Sequence, residues 1–345
     1  MKKPLFFLLF ILITSLKTFS QEPNAEHGLV KWMTIEEAMK LNEKVQKPIL
    51  LDFYTDWCGW CKHMMKTTYS DPGLAQYVNN YFYPVKFNAE GKDTIEYLGK
   101  VYKPTSAAPK APHEFAVTML NGNLSYPTTI FINGYDAQKK EFRLNMIAAG
   151  FLEAQKIEPM LVFTVENAFR NSNFDDFNTN FVKAFRDSTL DDQLKKLKWL
   201  TPSEAFNKPN TDKKKKKSIV LINTTWCNTG KVMSRTSFID PEVFGYADTT
   251  YRFIEFNPEI KDTINFKGQT FTNPAQPQMP FHQLAMAMCK NNMVLPTMAL
   301  LDEENNLLDA IPFYLPPAIL KKILFYYGED INKTKSWQEF AGMGQ

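Results

Sequence analysis

The sequence predicts an α/β protein made of two tandem copies of one domain, each a central mixed sheet flanked by helices. Three observations carry that prediction. The chain aligns on itself at a constant offset: Thr55, Trp57, Cys58, Lys62, Met64 and Thr67 fall on Thr224, Trp226, Cys227, Lys231, Met233 and Thr236, and His113, Pro127 and Thr128 fall on His282, Pro296 and Thr297. Within each copy short apolar runs alternate with helical patterns, as in an α/β domain with an at least partly parallel sheet. A chain of 345 residues, 44% hydrophobic and 22% charged, suits two globular domains of ordinary size.

The elements follow in order. Lys2 and Lys3, an apolar run from Leu5 to Ile13, and Thr18-Phe19-Ser20 ahead of Gln21 form a secretory leader over residues 1–20. The run is shorter than the ~20 residues of a membrane span. An uncleaved anchor is the alternative. No cysteine lies near the cut, which disfavours a lipoprotein. The body of the protein is expected outside the cytoplasm, in the periplasm or cell envelope or secreted, with no membrane span in the mature chain.

The first copy covers residues 25–169. Its strands are expected at 49–54, apolar and bounded by Pro48, and at 83–88, 128–132 and 145–149. A helix follows Cys58, a short one covers 113–120 after a Pro- and Ala-rich loop, and 151–166 closes the domain. Residues 170–193 read as a helical connector. Phe174, Phe177, Phe181 and Phe185 recur on one helix face behind Asn173 as cap, packed on one or both domains rather than forming a dimer face. The second copy covers 194–345, with strands at 219–222 and 297–301 and a closing helix at 317–327.

Charge excludes one class of function. Lys2, Lys3 and Lys17 are three of 40 Lys plus Arg, and without them the basic count equals the 37 Asp plus Glu. A nucleic-acid binder carries a basic surplus, so the run from Lys213 to Lys217 reads as a solvated loop. Met286, Met288, Cys289 and Met293, near Met279 and His282, read as a Met-rich core helix in preference to a soft-copper site.

The chemistry lies in Asp56-Trp57-Cys58-Gly59-Trp60-Cys61-Lys62, a C-x-x-C between a strand and a helix. A helix start offers free N–H groups and the positive end of the helix dipole, and both favour a thiolate at Cys58. The thiolate is the nucleophile in disulfide exchange, and Cys61 is placed to resolve the mixed disulfide. Zinc would need two further ligands. A structural short-loop disulfide is the other reading, in which the protein is a non-enzymatic binding or chaperone-like molecule.

The stretch from Asp52 through Lys62 resembles the thioredoxin family. The resemblance covers nearly all of both copies and is nearest to exported bacterial thioredoxin-like proteins. It implies two tandem thioredoxin-like domains. It also implies that Asp52 is the buried acid that takes a proton from Cys61 and that Lys86 is the lysine beside it. Tyr126-Pro127-Thr128 matches the cis-proline turn, and Gly150 a rim glycine. Substrate contacts are implied at Trp57, Gly59, Trp60, Tyr126, Pro127 and Gly150. Trp60 stands where thioredoxin itself has proline, and the loop from Lys100 to Pro112 departs from the minimal fold. A buried carboxyl has a raised pKa and can pass a proton near neutrality, which supports the Asp52 role on physical grounds.

The repeat acts as an internal control. Asp52, Cys61 and Lys86 have Leu221, Gly230 and Glu255 as counterparts, so the second copy is expected to be catalytically degenerate. Cys227 lacks a partner in its own motif. Cys289 reads as a buried structural cysteine, with a Cys227–Cys289 disulfide as the alternative. Pro296 keeps the turn that would display backbone to an extended chain, so the second copy is expected to keep a binding surface for substrate or a partner, with a scaffold that only stabilises the first copy as the alternative. The function expected is an exported thiol-disulfide oxidoreductase acting on protein substrates with cysteines or disulfides, served by a membrane or soluble redox partner. It calls for no cofactor, metal or nucleic acid.

Overall fold

A computed structural model describes residues 28–136, 141–207, 215–277 and 280–342. The expected leader, Met279 and the first lysines of the run lie outside the described residues. The first unit runs α1 (Ile35–Asn42), β1 (Ile49–Tyr54), α2 (Gly59–Lys66), α3 (Pro72–Tyr81), β2 (Tyr83–Asn88), β3 (Ile95–Tyr97), β4 (Lys100–Tyr102), α4 (Glu114–Met119), β5 (Thr128–Asp136), β6 (Glu141–Ala149) and α5 (Ala154–Val165). Helix α6 (Phe174–Arg186) and the single turn α7 (Asp191–Leu194) follow. The second unit runs β7 (Trp199–Leu200), α8 (Pro202–Phe206), β8 (Lys217–Ile222), α9 (Asn228–Val232), α10 (Pro241–Thr250), β9 (Tyr251–Phe256), β10 (Ile264–Phe266) and β11 (Gln269–Phe271). It ends with α11 (Gln283–Met288), β12 (Thr297–Leu301), β13 (Leu307–Pro312), α12 (Pro317–Gly328) and α13 (Trp337–Gly342).

Each unit is built on a mixed sheet. The first has the order β2-β1-β5-β6, with β1 parallel to β2 and the other pairs antiparallel. The second has the order β13-β12-β8-β9-β7, again parallel at β8–β9 and antiparallel at β8–β12 and β12–β13. The same local signals start matching helices. Thr34 with Glu37 and Thr201 with Glu204 form capping boxes on α1 and α8. Asp71-Pro72 and Asp240-Pro241 cap α3 and α10 with proline in the first turn.

Side-chain alternation along β1 divides the first core in two. Ile49, Leu51 and Phe53 pack towards α1, α4 and the β3–β4 hairpin. Leu50 packs on the opposite face with α2, α3 and α5. Asp52 shares that second face, beneath α2, and this position makes it chemically relevant.

Two expectations change. The segment expected to be a loop from Lys100 begins as the hairpin strand β4, and its counterpart β10–β11 exists in the second unit. Both hairpins turn at two residues with positive φ, Leu98-Gly99 and Lys267-Gly268, the geometry that matches strand twist. Three-residue strands are too short to show a period. The lysine run is not solvated to its end either. Lys217 opens β8 with its side chain 4% exposed, its Nζ 3.0 Å from Asp330 and 3.4 Å from Glu303. Two carboxylates and the Gly328 carbonyl at 3.2 Å are what allow the cation to sit there.

Helix α6 carries the expected phenylalanine face. Phe177 and Phe181 are buried, Phe185 is exposed, and Asn173 accepts a hydrogen bond from the Asp176 amide as cap. Val162 and Phe163 of α5 lie in one continuous core with Phe177, Phe181, Leu221 and Leu320, so apolar packing runs from the first unit through α6 into the second. Among the described residues no helix is long and apolar enough to cross a membrane.

Candidate active site

Cys58 is the N-cap of α2, with φ −72° and ψ 103°. Its Sγ accepts a hydrogen bond from the Cys61 amide at 3.1 Å, and the two cysteines form a disulfide. The strand-to-helix turn explains the placement. β1 ends at Tyr54, the Cys58 amide donates to the Thr55 carbonyl, and the helix begins at Gly59. A sulfur at that position meets free amides of the first turn, which favours negative charge on it.

Asp52 is fully buried. Its Oδ1 accepts from Thr129 Oγ1 at 3.1 Å and from the Tyr69 hydroxyl at 3.4 Å, while Oδ2 has no hydrogen-bond partner among the described residues. Burial pushes the carboxyl up to about 7, against the pull of Thr129, the Lys86 charge and Tyr69. Lys86 sits opposite Asp52 in the β1–β2 register, half-buried, with Nζ 4.5 Å from the centre of the Tyr54 ring. Tyr69 and Thr129 were not singled out in the sequence. Their signal lies in the repeat: Asp52, Tyr69 and Thr129 correspond to Leu221, Phe238 and Met298, so the polar cluster is replaced by apolar residues as a set.

The cysteines are themselves buried and are flanked by an aromatic rim. Trp57 and Trp60 are 58% and 62% exposed. Trp57 donates from Nε1 to Glu90 at 3.0 Å, faces Tyr126 edge-on, and lies under Lys110 from the Pro-rich loop. Trp60 packs on Phe151 and His63. The Tyr126–Pro127 peptide is cis, and the Pro127 carbonyl accepts from the Gly150 amide at 2.8 Å. Gly150 has φ +90°, which a residue without Cβ adopts freely. Gly59 is the first residue of α2, and the space beside its Cα is open. Asp52 lies on the strand that leads into the cysteine turn, with Lys86 opposite it in the register, and Trp57, Tyr126, Pro127 and Gly150 are joined by contacts beside the start of α2.

His113 and His282, kept in both copies, are helix caps. Each Nδ1 accepts an amide of the following helix (Phe115, Leu284), and each Nε2 pairs with a carbonyl (Asp93, Asp262). Trp226 repeats the Trp57 contact by donating to Glu259. Among the described residues no cluster of three or more His, Cys, Asp or Glu side chains could hold a metal ion.

The second unit's version of the site is filled. Cys227 and Cys289 are free and buried, so the disulfide alternative does not hold. They belong to separate regions: Cys289 lies in the core around Val220 and Ile222. The Asn223 side chain occupies the space that a Cβ at Gly230 would need. Restoring the second cysteine alone is therefore expected to cost about 1–3 kcal/mol. Urea unfolding of Gly230→Cys should show that loss, and Asn223→Ala in the same chain should recover most of it. The start of α9, one edge of the expected client surface, meets a side chain of the first unit. Glu166, at the end of α5, accepts from the Asn228 amide at 3.0 Å and from the Thr229 amide and hydroxyl at 2.6 Å, and the Cys227 thiol donates to it at 3.4 Å.

Residues 21–144 match the family model described as "Thioredox_DsbH: Protein of unknown function, DUF255". Over 64 residues the chain is 34% identical to the thiol:disulfide interchange protein DsbD of Vibrio vulnificus, 18% of this chain and 11% of that protein. Over 41 residues it is 46% identical to the DsbD of Photorhabdus laumondii, 12% of this chain and 7% of the other. The chain thus spans about a tenth of the length of the curated relatives it matches. Among solved structures, the oxidised C-terminal domain of Neisseria meningitidis DsbD is similar at 20% identity, with 39% of this chain and 98% of that one covered and a TM-score of 0.24. A thioredoxin from Thermus thermophilus is similar at 15% identity, covering 38% and 84%, with a TM-score of 0.28. Over residues 21–144 the chain is similar to thioredoxin-like proteins.

Proposed function

We propose that this protein is an exported thiol-disulfide oxidoreductase that exchanges disulfides in protein substrates through Cys58 and Cys61. The observation that carries the reading is Cys58 at the N-cap of α2, bonded to Cys61, with the buried Asp52 carboxyl, raised to about 7, on the strand that leads into it. In the reducing direction the Cys58 thiolate attacks a client disulfide. A Cys58–client disulfide forms, and one client thiolate leaves. Asp52 takes the proton of Cys61, whose thiolate attacks Cys58 Sγ. The Cys58–Cys61 bond forms and the second client thiolate leaves. The two electrons lost by the cysteine pair are those gained by the client disulfide. The same steps in reverse oxidise a dithiol client.

Trp57, Trp60, Tyr126, Pro127, Gly59 and Gly150 form the surface proposed to receive the client chain. Lys86 offsets charge on Asp52. A redox partner, membrane-bound or soluble, resets the cysteine pair, and residues 1–20 direct export to the periplasm or cell envelope. The domains are proposed at 25–169 and 194–345, joined by 170–193. The test is reduction of insulin by the full chain with dithiothreitol as electron source. Turnover well above the dithiothreitol background is expected. A background rate from protein whose Cys58 and Cys61 are shown to be reduced would return the site to a structural disulfide in a binding protein.

A further inference from the structure

In the first unit, the space between the start of α2, the cis-proline and the rim at 149–151 is open to solvent on its aromatic side. The equivalent space in the second unit lies between the start of α9, Pro296 and residues 312–314. The equivalence is fixed by register: Thr128 pairs with Ala149 as Thr297 pairs with Pro312, and the Phe313 amide donates to the Pro296 carbonyl as Gly150 does to Pro127. Both ends of this second groove are taken by one stretch of the same chain, residues 166–171.

At the helix end, Glu166 accepts from two α9 amides, the Thr229 hydroxyl and the Cys227 thiol. At the rim, Asn171 Nδ2 donates to the Tyr314 carbonyl at 3.1 Å, and the Arg170 guanidinium lies 5.3 Å from the centre of the Phe313 ring. The stretch is shaped by the first unit. Asn167 has φ 55°, and its side chain accepts from Asn133 of β5, whose amide also donates to the Thr164 carbonyl. A preformed turn of one unit therefore enters the redox groove of the other.

We infer that the degenerate redox groove of the second unit is an intramolecular docking socket, occupied by residues 166–171 with the Glu166 carboxylate as its anchor. The socket binds a carboxylate where an active site would hold a thiolate, since both are anions suited to free helix amides. Two features of the second unit fit this use. Gly230 and Asn223 close the place of the second cysteine, and Leu221, Phe238 and Met298 remove the proton-handling cluster. Burial and the neighbouring Glu166 charge push the Cys227 thiol up, so it stays protonated beside its acceptor. The inference goes beyond the proposed activity and does not depend on turnover at Cys58.

The test follows alkylation of the oxidised full chain by N-ethylmaleimide, resolved by peptide mass. Cys58 and Cys61 are protected by their disulfide, and Cys289, buried in the other core, is the internal reference. The readout is the rate ratio of Cys227 to Cys289. Loss of the anchor in Glu166→Ala is expected to raise it about tenfold, the scale set by losing a helix cap that opens a local segment. Glu166→Gln, which keeps the volume and one acceptor oxygen, is expected to raise it less. Global unfolding speeds both cysteines together, and both variants remove the Glu166 charge that holds the Cys227 thiol up, so the excess of the Ala variant over the Gln variant reports on the socket. A larger rise in Glu166→Ala than in Glu166→Gln supports the socket. Equal rises in the two, or a ratio unchanged in both, overturn it.

Discussion

Asp52→Asn is expected to stabilise the protein by about 4 kcal/mol at pH 8 and to change it little at pH 4, as measured by urea unfolding. The sign follows from the carboxyl, which burial raises from 3.8 to about 7. The folded chain holds this proton more tightly than the unfolded chain. Below about pH 4 both states are protonated, and Asp52 weighs on neither. Between about pH 4 and pH 7 the unfolded chain ionises while the folded one resists, so stability drains away as pH rises. Above about pH 7 the full cost of a buried carboxylate is present. An amide keeps the acceptor for Thr129 and Tyr69 and never ionises, so it escapes that cost. The same substitution should slow client exchange and remove the inflection near pH 7 from its pH–rate profile, by about a hundredfold or more for a proton acceptor. An equal stability change at pH 4 and pH 8 would mean that burial does not raise the Asp52 carboxyl above its unfolded value.

Cys58→Ser is expected to lower insulin reduction by about a thousandfold or more, because Cys58 is the sulfur at the N-cap of α2 from which the mixed disulfide forms. Cys61→Ser should lose turnover as completely but leave a different trace. Its Cys58 still attacks, and without a resolving thiol the Cys58–client bond persists. Non-reducing electrophoresis should show client adducts for Cys61→Ser and none for Cys58→Ser. The disulfide and the Cys61 amide on Cys58 Sγ place the two sulfurs for this order of events. Adducts formed through Cys61 in the Cys58 variant would reverse the assignment.

Much of this molecule is legible in its sequence because the signals are local. The strand at Ile49–Tyr54 is an apolar run behind a proline, and the Phe174 to Phe185 spacing fixes the buried face of α6 before any contact is known. The cysteine pair, Asp52 and the proline turn come from a motif and a resemblance, and the structure brings them to one end of the sheet. What escaped notice is non-local. Tyr69 and Thr129 are ordinary residues in their own segments and gain meaning only by converging on Asp52. Their joint exchange for Phe238 and Met298 was readable, but only by comparing the copies residue by residue. Glu166 has no such signal. Its contact with Asn228 joins segments of different units, and nothing in a helix-ending glutamate announces it. Lys217 misled for a related reason: a run of lysines suggests solvent until Asp330 and Glu303 are seen to meet its last member.

The apolar packing that runs from Val162 and Phe163 through Phe177 and Phe181 to Leu320 has a consequence for how the molecule melts. Tandem domains joined by a slack tether lose structure independently, each with its own transition. Here Phe163 packs on Phe177, and Phe177 packs edge-on against Tyr314. Either half, taken alone, would turn these side chains to water, at about 1.5–3 kcal/mol for each large one. Melting one half withdraws that support from the other. The two halves are therefore expected to melt in one transition, and a lesion in either half lowers the temperature at which both fail.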